Sequence, residues 1–139
     1  MDNWYVMSVW TGREDSCVES VKAYNQEKTV DGTSPFVPTR ETLFKKGGIV
    51  RHEISVMFPG YAFVQTSMDT YDFMDYFNGL RRAFNGFLTV LTYGDSREIA
   101  LKPEERLLLR FCTVVIYLCP FLYFTSSTAI LRRFLKLFG

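Results

Sequence analysis

The feature that most constrains the fold is the run Trp4-Tyr5-Val6-Met7-Ser8-Val9-Trp10. A strand with one wet face alternates apolar and polar residues; this one is apolar almost throughout, the pattern of a central strand covered on both faces. Whatever the chain folds into must therefore place material on either side of its first strand. At 139 residues it can supply one core, or one core and a tail, but not two full domains. The next residues, Thr11-Gly12-Arg13-Glu14, read as a Thr-x-x-Glu capping box, in which hydroxyl and carboxylate each satisfy a free backbone N–H. Cys17, Val18, Val21 and Tyr24 then recur at helical spacing, predicting a helix that ends near Asn25.

Asp31-Gly32 and Ser34-Pro35 mark the stretch from Thr29 to Pro35 as a loop. Phe36 to Phe44 reads as extended, with Pro38 at an edge or irregular position. Lys45-Lys46-Gly47-Gly48 is a hairpin turn, since paired glycines supply the positive φ values of a primed turn. The return arm, Ile49 to Phe58, puts Val50, Ile54, Val56 and Phe58 on one face and is expected to be half-buried. Phe58-Pro59-Gly60-Tyr61 fits a type II turn, proline presetting a negative φ and glycine taking the positive one, and it feeds a strand from Tyr61 to Thr66.

Asp69 and Asp72 open a second helix, Phe73, Met74, Phe77 and Leu80 form its apolar stripe, and Arg81 and Arg82 close it against the helix dipole. Asn85-Gly86 stops it, a strand from Phe87 to Tyr93 follows, and Pro103 with Glu104 and Glu105 opens a short helix carrying Leu107, Leu108 and Phe111. The order strand, helix, paired strands, helix, strand, helix predicts an α+β fold, an antiparallel sheet flanked by helices in the ferredoxin-like arrangement.

Composition bounds function more than it specifies it. A 47% apolar content with 17% aromatics gives the chain a core, and a net charge of +1 leaves any nucleic-acid footprint to local clusters. Cys17, Cys112 and Cys119 lack both an even count and Cys-x-x-Cys spacing, so neither a disulfide framework nor a zinc site is expected, and a cytoplasmic location fits. The N-terminus has no basic and apolar leader. His52 is the only imidazole and sits mid-strand without an orienting carboxylate, and Gly47-Gly48 lacks the frame of a phosphate loop. No enzyme, metal or cofactor is expected.

Two surfaces remain open in their meaning. Arg40, Lys45, Lys46 and Arg51 cluster on the hairpin, opposed there by Glu41 and Glu53. They fit either a solvated tip or a finger that contacts phosphates. Trp4, Tyr5, Phe58, Tyr61 and Phe63 fit either core packing or a set of aromatic anchors for a partner, which periodicity alone does not separate.

The ordered set Trp4-Tyr5-Val6, Thr11-Gly12-Arg13-Glu14, Phe36-Val37-Pro38-Thr39-Arg40-Glu41, Lys46-Gly47-Gly48 and Phe58-Pro59-Gly60-Tyr61-Ala62-Phe63-Val64 resembles the N-terminal (NGN) domain of NusG-family transcription elongation factors over roughly residues 3 to 111. Within that family, Tyr93-Gly94-Asp95 and Glu98-Ile99-Ala100-Leu101-Lys102-Pro103-Glu104-Glu105 look most like the LoaP antitermination branch. The resemblance implies a monomeric factor that binds RNA polymerase through an apolar patch receiving the clamp helices of the largest subunit and suppresses pausing. It places Trp4, Phe58 and Tyr61 in or beneath that patch. It also implies a structured leader RNA as a second partner, contacted by Arg40, Lys45, Lys46 and Arg51, with Arg81 and Arg82 added. A stand-alone RNA-binding module, or a truncated and membrane-associated fragment, are the competing readings.

The resemblance stops near residue 112, so the chain divides into 1–112, the NusG-like domain, and 113–139, an apolar tail standing where the family continues into a β-barrel KOW domain. From Phe111 to Leu131 no residue is charged, approaching the roughly 20 residues of a bilayer span, though Pro120 and Thr125-Ser126-Ser127-Thr128 weaken that reading. A truncated or frame-shifted gene would account for such a tail.

Overall fold

A computed structural model describes residues 2–92, 98–107 and 109. Its elements are β1 (Asn3–Val9), α1 (Glu14–Lys28), β2 (Thr33–Phe36), β3 (Thr39–Lys46), β4 (Ile49–Val56), β5 (Tyr61–Thr66), α2 (Thr70–Ala83) and β6 (Phe87–Val90), with a short helical turn at 103–107. The tail 113–139 and its apolar run, like Tyr93, Leu108 and Phe111, lie outside the described residues.

β1 is the central strand its composition demands. It pairs antiparallel with β5 on one side and with β6 on the other, and β2 adds to the far edge of β5, giving the sheet order β2-β5-β1-β6. Without the β3–β4 ribbon, the path is β-α-β-β-α-β with both middle pairings antiparallel, the ferredoxin-like topology. The α+β expectation therefore stands.

Each face of β1 has its own core. Tyr5, Met7 and Val9 point to the helix side, where Cys17, Val21 and Tyr24 of α1 and Phe73, Tyr76, Phe77 and Leu80 of α2 cover them. Tyr5 and Phe73 stack with centroids 4.0 Å apart. Trp4 and Val6 point the other way, into a second cluster with Met57, Phe58, Phe63, Leu101 and Leu109. Leu101 and Leu109 of that second layer come from the C-terminal segment. Leu101 N–H donates to Trp4 O at 2.7 Å and Arg106 reaches Asp2 O at 2.5 Å, so the segment 101–106 lies against the start of the chain and β1.

Several local expectations are corrected. The helix α1 starts at Glu14, capped at Arg13 without a side-chain hydrogen bond, so Thr11 and Glu14 do not form a capping box; α1 also runs on to Lys28, ending at Thr29 in the left-handed region. Ser34-Pro35 belongs to strand β2 and not to a loop. An edge strand tolerates proline because its missing N–H faces away from the partner, and Pro35 sits opposite Val64 on the outer strand of the sheet. In α2 the buried stripe contains Tyr76, while Met74 is only partly covered. The 103–107 turn exposes Leu107.

The largest correction concerns β4. It was expected to be half-buried, yet it pairs with β3 alone in a separate two-stranded ribbon, and Ile49, Val50 and Ile54 are exposed, Ile54 at 72%. The strand ends at Val56, and only Met57 and Phe58 beyond it enter the core. The turn itself is as expected, Gly47 and Gly48 both having positive φ, with Lys46 opposite Ile49.

Candidate functional site

The Phe58-Pro59-Gly60-Tyr61 turn joins the ribbon to the central sheet. Tyr61 N–H donates to Phe58 O at 3.2 Å and Gly60 has φ of 85°, as a type II turn requires. The turn is bound to its surroundings on two sides. Gly60 O accepts from Val9 N–H at 2.9 Å, extending the β1–β5 ladder past its last pair. Gly60 N–H donates to Glu14 Oε1 at 2.6 Å, and the same oxygen accepts from Gly12 N–H at 3.1 Å. Glycine is favoured at this place by its positive φ and because a Cβ there would lie a tight 3.1 Å from Thr11 Oγ1.

Glu14 is thus a buried carboxylate, 4% exposed, at the junction of β1, α1 and the turn. Burial pushes its carboxyl up, but hydrogen bonds from the backbone N–H groups of Gly60, Glu14 itself and Gly12 outweigh it and hold the carboxyl below its ordinary 4.5. A carboxyl lowered by folding adds stability that is complete above 4.5 and is lost as pH falls through the depressed value. Urea denaturation as a function of pH is therefore expected to show stability falling on acidification below 4.5, and Glu14→Gln is expected to flatten part of that fall. An identical acid limb in the variant would remove Glu14 as its source.

The three aromatics expected at a docking patch are not equivalent. Trp4 at 7% exposure and Phe58 at 6% are packed in the second core cluster, with Trp4 edge-on to Phe36 at 5.2 Å and Phe58 tilted against Phe63 at 5.8 Å. Tyr61, opposite Ser8 on the same sheet face, is only partly covered. Trp4 and Phe58 form the floor and Tyr61 is the accessible member. Beyond it, at the end of β1, the sequence reading missed Trp10, which is exposed with the Arg13 guanidinium 5.7 Å from its ring centroid. Its place as the last apolar residue before a glycine was the available signal.

The cationic residues divide as the register dictates. Residues directly opposite in an antiparallel ladder share a face. Arg40 opposite Ser55, Lys46 opposite Ile49, and Arg51 therefore lie on one face of the ribbon; Lys45 opposite Val50 lies on the other, with Leu43, His52 and Ile54. All four cationic residues are exposed, and Arg40 Nε donates to Ser55 Oγ at 3.1 Å. Among the described residues none of Lys45, Lys46 and Arg51 enters an ion pair. Lys45, Lys46, Arg51, His52 and Glu53 line an open depression near the tip. Arg81 and Arg82 are not part of this surface. They close α2 beside β6, Arg81 donating to Leu88 O at 3.4 Å, on the opposite edge of the sheet from β2.

Among the described residues no three metal-ligating side chains come together, and no helix is long and apolar enough to cross a membrane. Cys17 is buried, which together with the nearby Glu14 charge raises its thiol above the ordinary range and leaves it inert as a nucleophile.

These features define a class: a ferredoxin-like α+β domain with a β-ribbon inserted between its second and third core strands and an aromatic cluster on the sheet face opposite the helices. The sequence model of the NusG family, described as transcription termination factor nusG, matches residues 2–110. The chain belongs to the NusG family of transcription factors. Among solved structures it is similar to one titled "Domain interaction in Thermotoga maritima NusG", with 17% identity and a TM-score of 0.47, over 76% of this chain and 52% of that one. The chain thus spans about half the length of that NusG. No curated protein matches it.

Proposed function

We propose that this chain is a transcription elongation and antitermination factor that docks on RNA polymerase and acts by holding, not by bond chemistry. The reading rests on NusG-family membership over residues 2–110, together with an accessible Tyr61 held over the buried Trp4, Phe58 and Phe63. A partly exposed aromatic on a rigid apolar floor is the arrangement of an interface anchor, since ordering it on binding costs little further entropy. The partner is the clamp-helix tip of the largest polymerase subunit, and a monomer in the cytoplasm suffices for the task.

The test is affinity of the full chain for core RNA polymerase. Tyr61→Ala is expected to weaken binding roughly tenfold or more, as for an interface hot spot. Phe58→Ala is a poor probe because the ring is buried and its loss perturbs the fold. Undiminished binding by a folded Tyr61→Ala chain would refute the docking edge.

A second, finer reading concerns RNA. Arg40, Lys46 and Arg51 lie on one face of the ribbon, and this exposed cationic face supports a LoaP-like contact with the phosphates of a structured leader. In a salt titration of RNA binding, Lys46→Glu with Arg51→Glu is expected to lower affinity and to reduce the slope of log K against log salt by roughly 2, about one unit per lost phosphate contact. Lys45→Glu, on the other face, is expected to do less. Equal effects from both faces would argue that the ribbon acts through bulk charge alone.

A further inference from the structure

Glu14 has two ready explanations, as an acid in the first turn of α1 that favours the helix dipole and as a side chain that merely fills space. Neither accounts for its geometry. A dipole-compensating acid gains nothing from burial, and a space filler needs no charge; removing a carboxylate from water is costly unless several donors meet it. Here the donors come from two different segments: Gly12 in the β1–α1 connection and Gly60 in the turn before β5, both on Oε1.

The turn so bound is the one that launches Tyr61. Its carbonyl is taken by Val9 at the end of β1 and its N–H by Glu14, so the Pro59–Gly60–Tyr61 peptide planes are fixed from both sides. Thr11 closes the space over Gly60. The bond from Gly60 N–H to Glu14 ties α1 to this turn, and the bond from Gly12 N–H ties the same oxygen to the β1–α1 connection.

We propose that Glu14 is a positioning residue for the docking edge: by holding the Gly60 and Gly12 amides on one carboxylate oxygen it sets the direction in which Tyr61 leaves the turn. The inference rests on the docking reading and adds to it a residue that touches no partner. A carboxylate is suited to this because one ionised oxygen accepts two N–H donors strongly. Aspartate lacks one methylene of reach. Glutamine keeps an oxygen acceptor, but a weaker one, and adds two N–H donors to a pocket already occupied by donors.

The experiment uses the full chain as native, Glu14→Gln, Glu14→Asp, Tyr61→Ala and the Glu14→Gln/Tyr61→Ala pair. Circular dichroism and urea unfolding verify that each is folded. Without partner, the Gly60 amide and Tyr61 ring resonances are expected to shift in Glu14→Gln, while the Tyr5 and Phe73 rings on the other sheet face stay in place. With core RNA polymerase, Glu14→Gln and Glu14→Asp are expected to bind roughly tenfold more weakly than native, the scale of one displaced anchor. The pair is expected to bind no worse than Tyr61→Ala alone, because Glu14 acts only through that side chain. A purely structural role would lower urea stability and leave the affinity of the folded chain intact. Unmoved Gly60 and Tyr61 resonances, or losses that add in the pair, would overturn the proposal while leaving the docking reading in place. A native chain that fails to bind polymerase would instead overturn the docking reading and, with it, the role assigned to Glu14.

Discussion

Phe63→Ala is expected to cost about 3–5 kcal/mol, the range for deleting a buried phenyl ring. Phe63 has no exposed surface, lies opposite Val6 of the central strand and opposite Phe36 of the edge strand, and its ring meets Phe36 at 5.5 Å and Phe58 at 5.8 Å. Through these contacts the β2 edge, the central sheet and the Phe58 turn share a single cluster. Since domains of this size are stable by only about 5–15 kcal/mol, the variant should be near or beyond its unfolding limit at moderate temperature. Urea denaturation is the measurement. Ile54→Ala in the same background is the informative control: despite similar apolar content its side chain is exposed on the ribbon, and the change should fall within about 0.5 kcal/mol of neutral. A large loss at Ile54 would mean that the ribbon's apolar face is covered in solution.

The second large effect is expected at Gly60. An L-residue in the left-handed region costs roughly 1–2 kcal/mol, and at Gly60 the added Cβ also meets Thr11 Oγ1 at 3.1 Å, backed by Val9 O at 3.7 Å. Gly60→Ala should therefore lose about 2 kcal/mol or more, against Gly47→Ala, which pays the conformational cost alone because a Cβ there meets nothing. Thermal melts separate the two, since each kcal/mol moves Tm by roughly 4–8 °C in a domain this small. Equal losses at the two glycines would show that the close approach to Thr11 is easily relieved. A Gly60 variant that stays folded should also share the docking defect assigned to a loosened turn.

The two substitutions bear on one design. The turn is stabilised from below by the second aromatic cluster and from the side by Val9, Thr11 and Glu14. Tyr61 therefore emerges from a rigid support, while strands β3 and β4 of the ribbon that precedes it pair only with each other.

The elements themselves were legible in the chain. Near-continuous apolar composition marked β1 as central, Asp69 and its neighbours marked the start of α2 with Asp72 N–H on Asp69 Oδ1 at 2.9 Å, and the paired glycines marked the ribbon turn. These signals are local: they depend on side-chain period, a cap or a φ value, all carried by a few adjacent residues. The ordered motifs carried the family in the same way.

What the sequence could not settle was how local elements meet. The period-two pattern of β4 is the same whether its apolar face packs on a core or looks into solvent, and only the path from β2 to β5 leaves that ribbon outside the sheet. Thr11 and Glu14 have the spacing of a capping box, but the Gly60 amide, 46 residues away along the chain, takes the carboxylate, and the helix begins at Glu14 instead. Trp4, Phe58 and Tyr61 read alike as strand and turn aromatics; the residues of the C-terminal segment, Leu101 and Leu109, bury the first two and leave the third partly open. Arg81 and Arg82 join the ribbon cations on charge alone, whereas the fold places them at the end of α2 beside β6, the edge opposite β2. Periodicity, capping and turn chemistry act over one to four residues and so can be read from the chain; exposure, partner choice and the meeting of distant polar groups depend on contacts between segments that only the tertiary fold brings together.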